Sequence, residues 1–201
     1  ARILNQLRSA ENLPPLPYNV IRGQVSNGAR ALVKLGFDLP EDSSAFADRL
    51  AALLKLYEKE LAQESRLFPG LDAALQLLEL HEIPWGVVTN KPGMFTEALL
   101  ERMGMSDYFD VIVSGDTTAN KKPHPEPILH ACEIFGVRPD RNLHIGDSKH
   151  DIHAAHAAGC QAYCVPYGYN EGQPVSAAEC DALVPDLLAA FNLVRADQPK
   201  A

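Results

Sequence analysis

Only four cysteines occur in the 201 residues, Cys132, Cys160, Cys164 and Cys180, and no two of them form a CxxC pair. That spacing excludes a zinc ribbon and a thioredoxin-type redox pair. The four read as reduced, mostly buried thiols of a cytoplasmic protein. Positive charge is also scarce: 18 Lys and Arg stand against 26 Asp and Glu, a formal net charge of −8. Such a surface repels phosphate backbones and anionic lipid, so no nucleic-acid partner and no membrane partner is expected. A local basic pocket for a small anion stays open. No uninterrupted apolar run is long enough to cross a bilayer, and no signal-peptide pattern precedes the first helix. Internal repeats and low-complexity tracts are absent, as is any strand-like run before Phe68. There is no initiator Met, and the helical pattern starts at Ala1 without a capping residue, so a preceding segment is expected.

What the chain does have is 46% apolar and 22% charged residues, ordinary for a globular protein of one domain, or of a core with a small accessory domain. Ile3, Leu4 and Leu7 fall at helical spacing, and so do Val20, Val25, Ala29, Leu32 and Val33 if Gly23 and Gly28 are accommodated. After a break at Pro40 to Ser44, Phe46, Leu50, Leu53, Leu54, Tyr57 and Leu61 make a third apolar stripe. From Pro69-Gly70 onward, helical segments alternate with short apolar strands: 84–89, 110–114, 142–145 and 161–165 as strands, with helices over 95–103, 126–135, 151–158 and 185–193. Such alternation predicts an α/β fold, a three-layer Rossmann-like parallel sheet core, beside a small all-helical domain. The expected division is residues 1–66 and 67–201.

Three polar clusters follow expected strands, where open parallel sheets gather their ligands. Thr89 and Asn90, ahead of Lys91-Pro92, offer a hydroxyl and backbone N–H groups to a phosphate oxygen. Thr-Asn is also a common turn and helix cap. Lys122 sits in Lys121-Lys122-Pro123-His124-Pro125, where the prolines fix the backbone and aim the ammonium. A positioned ammonium holds a phosphate dianion; the alternative is a rigid loop with solvated lysines. Gly146-Asp147-Ser148-Lys149-His150-Asp151 exposes Asp147 at a strand tip and sets Asp151 four residues on, on the same side of a helical turn. Two carboxylates there suit Mg²⁺, which keeps several waters and uses one or two protein carboxylates plus substrate phosphate. Both acids also suit a helix N-terminus for its dipole alone. His150, His153 and His156 sweep an arc of roughly 120° instead of converging, so they read as a solvated or interface face and not as a zinc cage.

In this order the clusters resemble three of the four signature motifs of the haloacid dehalogenase superfamily: Thr89 the second, Lys122 the third, and Gly146-Asp147 with Asp151 the fourth. Phe68-Pro69-Gly70, Ala157-Ala158-Gly159-Cys160 and Tyr167-Gly168-Tyr169-Asn170 add a resemblance to the bacterial phosphoglycolate phosphatases, and similar stretches occur in N-acetylmuramic acid 6-phosphate phosphatases. The resemblance implies a Mg²⁺-dependent phosphatase acting through an aspartyl-phosphate on a small phosphorylated metabolite, with Lys122 and Asp147 catalytic and Asp147 and Asp151 at the metal. It makes residues 1–66 a cap, where Arg22, Asn27 and Gly28 are candidates to face the substrate. A monomer or homodimer is expected. One departure stands out: the family opens on a strand ending in Asp-x-Asp-x-Thr, whose first Asp is the nucleophile, and no such motif occurs among the 201 residues. That first core strand is expected upstream of residue 1, and these 201 residues by themselves are expected not to turn over. A sugar-phosphate phosphatase, a phosphosugar mutase and a non-catalytic phosphate-binding protein are the alternatives.

Overall fold

Apolar periodicity of two kinds, 3.6 residues in one part of the chain and short strand runs in the other, produces two units in the computed structural model, which describes residues 1–170 and 172–196. The first unit is Ala1–Gln63 together with the short stretch Tyr169–Gln173, and the second is Glu64–Gly168 with the chain from Pro174 on. The change of pattern at 66/67 thus lies three residues beyond the break at Gln63, and the return of the chain at Tyr169 left no mark in the periodicity.

The first unit is helical: α1 (Arg2–Ala10), α2 (Tyr18–Arg22), α3 (Gly28–Phe37) and α4 (Ser44–Glu60). Leu4, Ile21, Val33, Phe46 and Leu53 close one apolar core among them. The stretch expected as one helix around Val20 to Val33 is interrupted. Arg22 ends α2, a 3₁₀ turn spans Val25–Asn27, and Gly28 opens α3 at φ +83°, a backbone state that a continuous right-handed helix cannot contain. Ser43 caps α4 by accepting the Phe46 N–H.

In the second unit the order is α5 (Leu71–Leu80), β1 (Gly86–Val88), α6 (Gly93–Arg102), β2 (Val111–Val113), α7 (Glu126–Phe135), β3 (Leu143–Gly146), α8 (Lys149–Ala158), β4 (Gln161–Cys164), β5 (Ala182–Leu183) and α9 (Leu187–Ala196). All pairings are parallel, β1 with β2 and, in a separate sheet, β3-β4-β5. The short strand β5 has no counterpart in the apolar pattern, because two residues are too few to show a period. Alternation along each strand builds the layers. Ala162 and Cys164 of β4 join Ile152, Ala154 and Ala155 of α8 in one core, while Tyr163 and Val165 turn to Ala190 of α9. Val111 and Val113 of β2 meet Ala131 of α7, and Ile112 lies against Leu75 and Leu100 of α5 and α6. The parallel α/β sandwich is therefore three layers thick.

Register decides which strand edges are used. The Thr89 N–H donates to Val113 and Trp85 accepts from Asp110, so the odd residues of β1 face β2. Gly86 and Val88 then present their peptide groups to the other edge, where β1 has no strand partner among the described residues. On β3, Asn142 and Gly146 accept from β4, which leaves Leu143 and Ile145 on an edge likewise without a strand partner. No helix among the described residues is long and apolar enough to cross a membrane.

Burial pushes the Cys164 thiol up to about 12 and the Cys132 thiol, which also faces Cys160, up to about 11. Iodoacetamide at pH 8 should therefore alkylate half-buried Cys180 well before Cys132 or Cys164. Peptide mapping of the native protein checks this; Cys132 or Cys164 labelled as fast as in the urea-unfolded chain would contradict it.

Candidate active site

The carboxyl ends of β1 and β3 are brought together by hydrogen bonds from a loop that belongs to neither. Asn90, two residues beyond β1, clamps the backbone of Lys122 on both sides: its Nδ2 donates to the Lys122 carbonyl at 2.8 Å and its Oδ1 accepts the Lys122 N–H at 3.0 Å. The Lys122-Pro123 peptide bond is cis. Held in this way, the Lys122 side chain runs inward. Its Nζ donates to the Val88 carbonyl at 2.5 Å, on the edge of β1 that has no strand partner, and lies 2.6 Å from Asp151 Oδ1. Both side chains of that ion pair are buried, 8% and 10% exposed.

Asp151 is placed by the start of α8. Ser148 is the N-cap: its hydroxyl accepts the Asp151 N–H, while Asp151 Oδ2 accepts from the Ser148 N–H at 3.1 Å and the Ser148 hydroxyl at 2.7 Å. The Asp147 N–H donates to the same oxygen at 3.2 Å. This reciprocal cap is legible as Ser-x-x-Asp before an apolar stretch. Burial opposes charge on Asp151, but His144 and Lys122 outweigh it and hold the carboxyl well below the usual range. Burial, reinforced by the charge on Lys122, pushes His144 down although Asp151 pulls the other way.

Two glycines make these approaches feasible. A Cβ on Gly146 would lie 2.2 Å from Asp151 Cβ, and one on Gly168, at φ +106°, would lie 1.9 Å from Asp147 Oδ2. Thr89 is bound into the turn after β1, where its Oγ1 accepts the Lys91 N–H at 3.2 Å. One bonded series thus ties three loops: Asn90 to Lys122, Lys122 to Asp151, and Asp151 to Ser148 and Asp147. Among the described residues, two of the three ammonium N–H groups of Lys122 are engaged, which leaves one for an anion.

The chain matches a known family across both units. The haloacid dehalogenase-like hydrolase family matches residues 27–165. The chain belongs to the haloacid dehalogenase-like hydrolases. Among relatives of this hydrolase, the phosphoglycolate phosphatase of Thiobacillus denitrificans is 42% identical over 194 residues, covering 94% of this chain and 86% of the relative. That of Nitrosospira multiformis is 41% identical, covering 96% and 85%. A crystal structure of a predicted phosphoglycolate phosphatase from Haemophilus somnus 129pt superposes with a TM-score of 0.86 at 30% identity, over 96% of this chain and 89% of that one. CbbY from Rhodobacter sphaeroides, solved with phosphate, shares the fold with a TM-score of 0.72 at 23% identity, covering 92% and 86%.

For this hydrolase the structure brings together Asn90, Lys122, Asp147 and Asp151, with Thr89 adjoining Asn90. Arg22, Asn27 and Gly28 lie in the helical unit. Arg22 stacks over Tyr169 at 4.4 Å, and Asn27 donates to Gln24 at 3.1 Å. His153 and His156 are exposed, and His156 Nε2 lies 3.1 Å from Asp181 Oδ2. Among the described residues no three His, Cys, Asp or Glu side chains gather into a metal cage. The oxygen donors at Asp147 and Asp151 fit a hard cation that retains water, and Asp151 is already committed to Lys122 and the cap. Two roles escaped the sequence: the amide of Asn90 as a clamp on Lys122, and His144 beside Asp151. A cleft of about 510 Å³ between Leu75, Trp85 and Tyr108 lies before the starts of β1 and β2, at the end of the strands opposite to this cluster.

Removing one member of a buried ion pair strands the other. Lys122→Met should cost about 3–5 kcal/mol in urea unfolding, and Lys122→Met with Asp151→Leu should recover much of that loss. Gly146→Ala should push Asp151 out of its cap and cost about 1–3 kcal/mol, read in the same unfolding experiment.

Proposed function

We propose that this enzyme hydrolyses a small phosphomonoester, 2-phosphoglycolate, through an aspartyl-phosphate and with Mg²⁺. The observation that carries the reading is the Lys122 ammonium, fixed between the Val88 carbonyl and Asp151 with an N–H to spare, at the strand ends where Thr89, Asn90 and Asp147 also stand. The similarity to phosphoglycolate phosphatases at 42% and 41% identity supports the choice of substrate.

In this reading Lys122 neutralises charge on the phosphoryl group as its oxygens accumulate it. Thr89 and the Asn90 backbone N–H hold phosphoryl oxygens. Asp147 is the direct metal ligand; Asp151 shares the site or orients it, and its bonds to Lys122 and the cap favour orientation. A bound Mg²⁺ supplies charge neutralisation between carboxylates and phosphate. The nucleophilic carboxylate is expected on a strand paired at the edge of β1 or β3 that has no strand partner among the described residues, since unpaired edges are the acceptors for one more strand. Its oxygen attacks phosphorus as the P–O ester bond breaks, and the leaving oxygen takes a proton from the second Asp of the Asp-x-Asp-x-Thr motif. Water, giving a proton back to that Asp, then attacks phosphorus to release inorganic phosphate and free the carboxylate. The helical unit acts as the cap, with Arg22 as the guanidinium for a substrate carboxylate. The protein acts in the cytoplasm, as a monomer or homodimer.

The test is turnover by the full-length protein on 2-phosphoglycolate, N-acetylmuramic acid 6-phosphate and glucose phosphates, with and without Mg²⁺. Asp147→Asn should lower kcat at least about a hundredfold. Near-normal Mg²⁺-dependent turnover in that variant would sink the assignment. Preference for a sugar phosphate would move the substrate, and phosphate binding without any hydrolysis would make this a binding protein.

A further inference from the structure

The mechanism above leaves His144 without a task. The ring stands on β3, on the strand face that carries α8, and is 11% exposed. Its Nε2 is buried with no partner at hydrogen-bond distance among the described residues, so the desolvation of the nitrogen is not offset by a formed hydrogen bond. An aromatic or aliphatic side chain would fill the position without that cost. What the imidazole does have is a direction. Nε2 lies 3.7 Å from Asp151 Oδ1, the same oxygen that lies 2.6 Å from Lys122 Nζ. The other carboxylate oxygen, Oδ2, is already filled by the Asp147 and Ser148 N–H groups and the Ser148 hydroxyl.

These contacts set up a competition at Lys122. An anion at the strand ends draws on the ammonium and lengthens its contact with Oδ1. In a buried setting an oxygen that loses a donor needs another. A shift of about 0.5 Å brings the imidazole from 3.7 Å to hydrogen-bond range.

Resting on the phosphatase reading, we propose that His144 is a positioning residue: its Nε2–H closes on Asp151 Oδ1 when an anion engages Lys122. It thereby keeps the carboxylate, and through it the ammonium, aligned on the phosphoryl group. Nothing at this position follows from the signature motifs, in which His144 has no part.

The experiment uses the full-length protein with His144→Phe, His144→Gln and His144→Asn. The Gln amide nitrogen reaches the place of Nε2, whereas that of Asn occupies the place of Nδ1. Calorimetry with inorganic phosphate at saturating Mg²⁺, and kcat/KM on the phosphomonoester, are read together. His144→Phe should weaken phosphate binding and kcat/KM about tenfold. Gln should return both to within about threefold of the wild type and Asn should not, an ordering that a space-filling role does not produce. Should Phe fail to fold, the contrast between Gln and Asn decides alone. Phe indistinguishable from wild type, or Asn equal to Gln, overturns the proposal. Wild-type protein that binds phosphate but hydrolyses nothing removes the proposed function and leaves the phosphate titration as a test of His144.

Discussion

The buried contact between Lys122 and Asp151 is the constraint on which the site depends. At 2.6 Å, with both side chains almost out of water, neither charge is tolerable without the other. Each partner is therefore held from behind. Asn90 grips the Lys122 backbone from both sides, and Ser148 with the start of α8 fixes Asp151. The pair also joins elements remote in sequence, because Lys122 reaches the Val88 carbonyl of β1 while Asp151 begins α8. An ion pair of this kind adds little net stability over an apolar pair of the same size. Its value lies in fixing where one ammonium points.

That geometry needs the parallel sheet beneath it. In such a sheet every strand exits toward the same end, so the turns after β1 and β3 and the loop after β2 converge without any special device. Close approach is then limited by side-chain bulk at the turns. Gly146 and Gly168 remove it where the carboxylates of Asp151 and Asp147 must sit against backbone. The strands themselves are short, three or four residues in β1 to β4, and the α7–α8 layer supplies the burial they lack.

Much of this was readable from the chain. The alternation of helical and strand patterns after Pro69 gives the α/β class because each apolar strand run is flanked by Gly, Pro or polar turn residues. Glu126–Phe135 was legible to the residue, having Pro127 near its start and Gly136 at its end. That Asp147, Asp151 and Lys122 lie together at strand ends was legible, since each follows a short apolar run and the prolines fix the direction of the Lys122 loop. The failures share a cause. The clamp by Asn90 spans 32 residues and the approach of His144 to Asp151 depends on which strand face each residue occupies, so neither leaves a local pattern. Gly28 was counted as tolerable within a helix, and its positive φ, invisible in composition, broke it. The return of the chain to the helical unit at Tyr169 is set by tertiary contacts alone.

Charge balance gives the cluster its last consequence. Lys122 is one cation, and Asp147 and Asp151 are two carboxylates, so the bonded group is net negative before any substrate arrives. A phosphate dianion entering it meets one ammonium already shared with Asp151 and a second carboxylate beside it. Backbone N–H groups after β1 offset part of that repulsion, as partial charges do at any strand-to-helix turn. They do not supply whole charges. In the proposed reaction, phosphate and the divalent cation therefore bind best together, each relieving the repulsion the other meets. Their affinities are coupled by the same factor in both directions. In that proposed reaction Asp147 is the carboxylate that would take up the cation. Asp151, paired with Lys122 at 2.6 Å, has less charge to offer the cation and serves that reaction mainly by orientation.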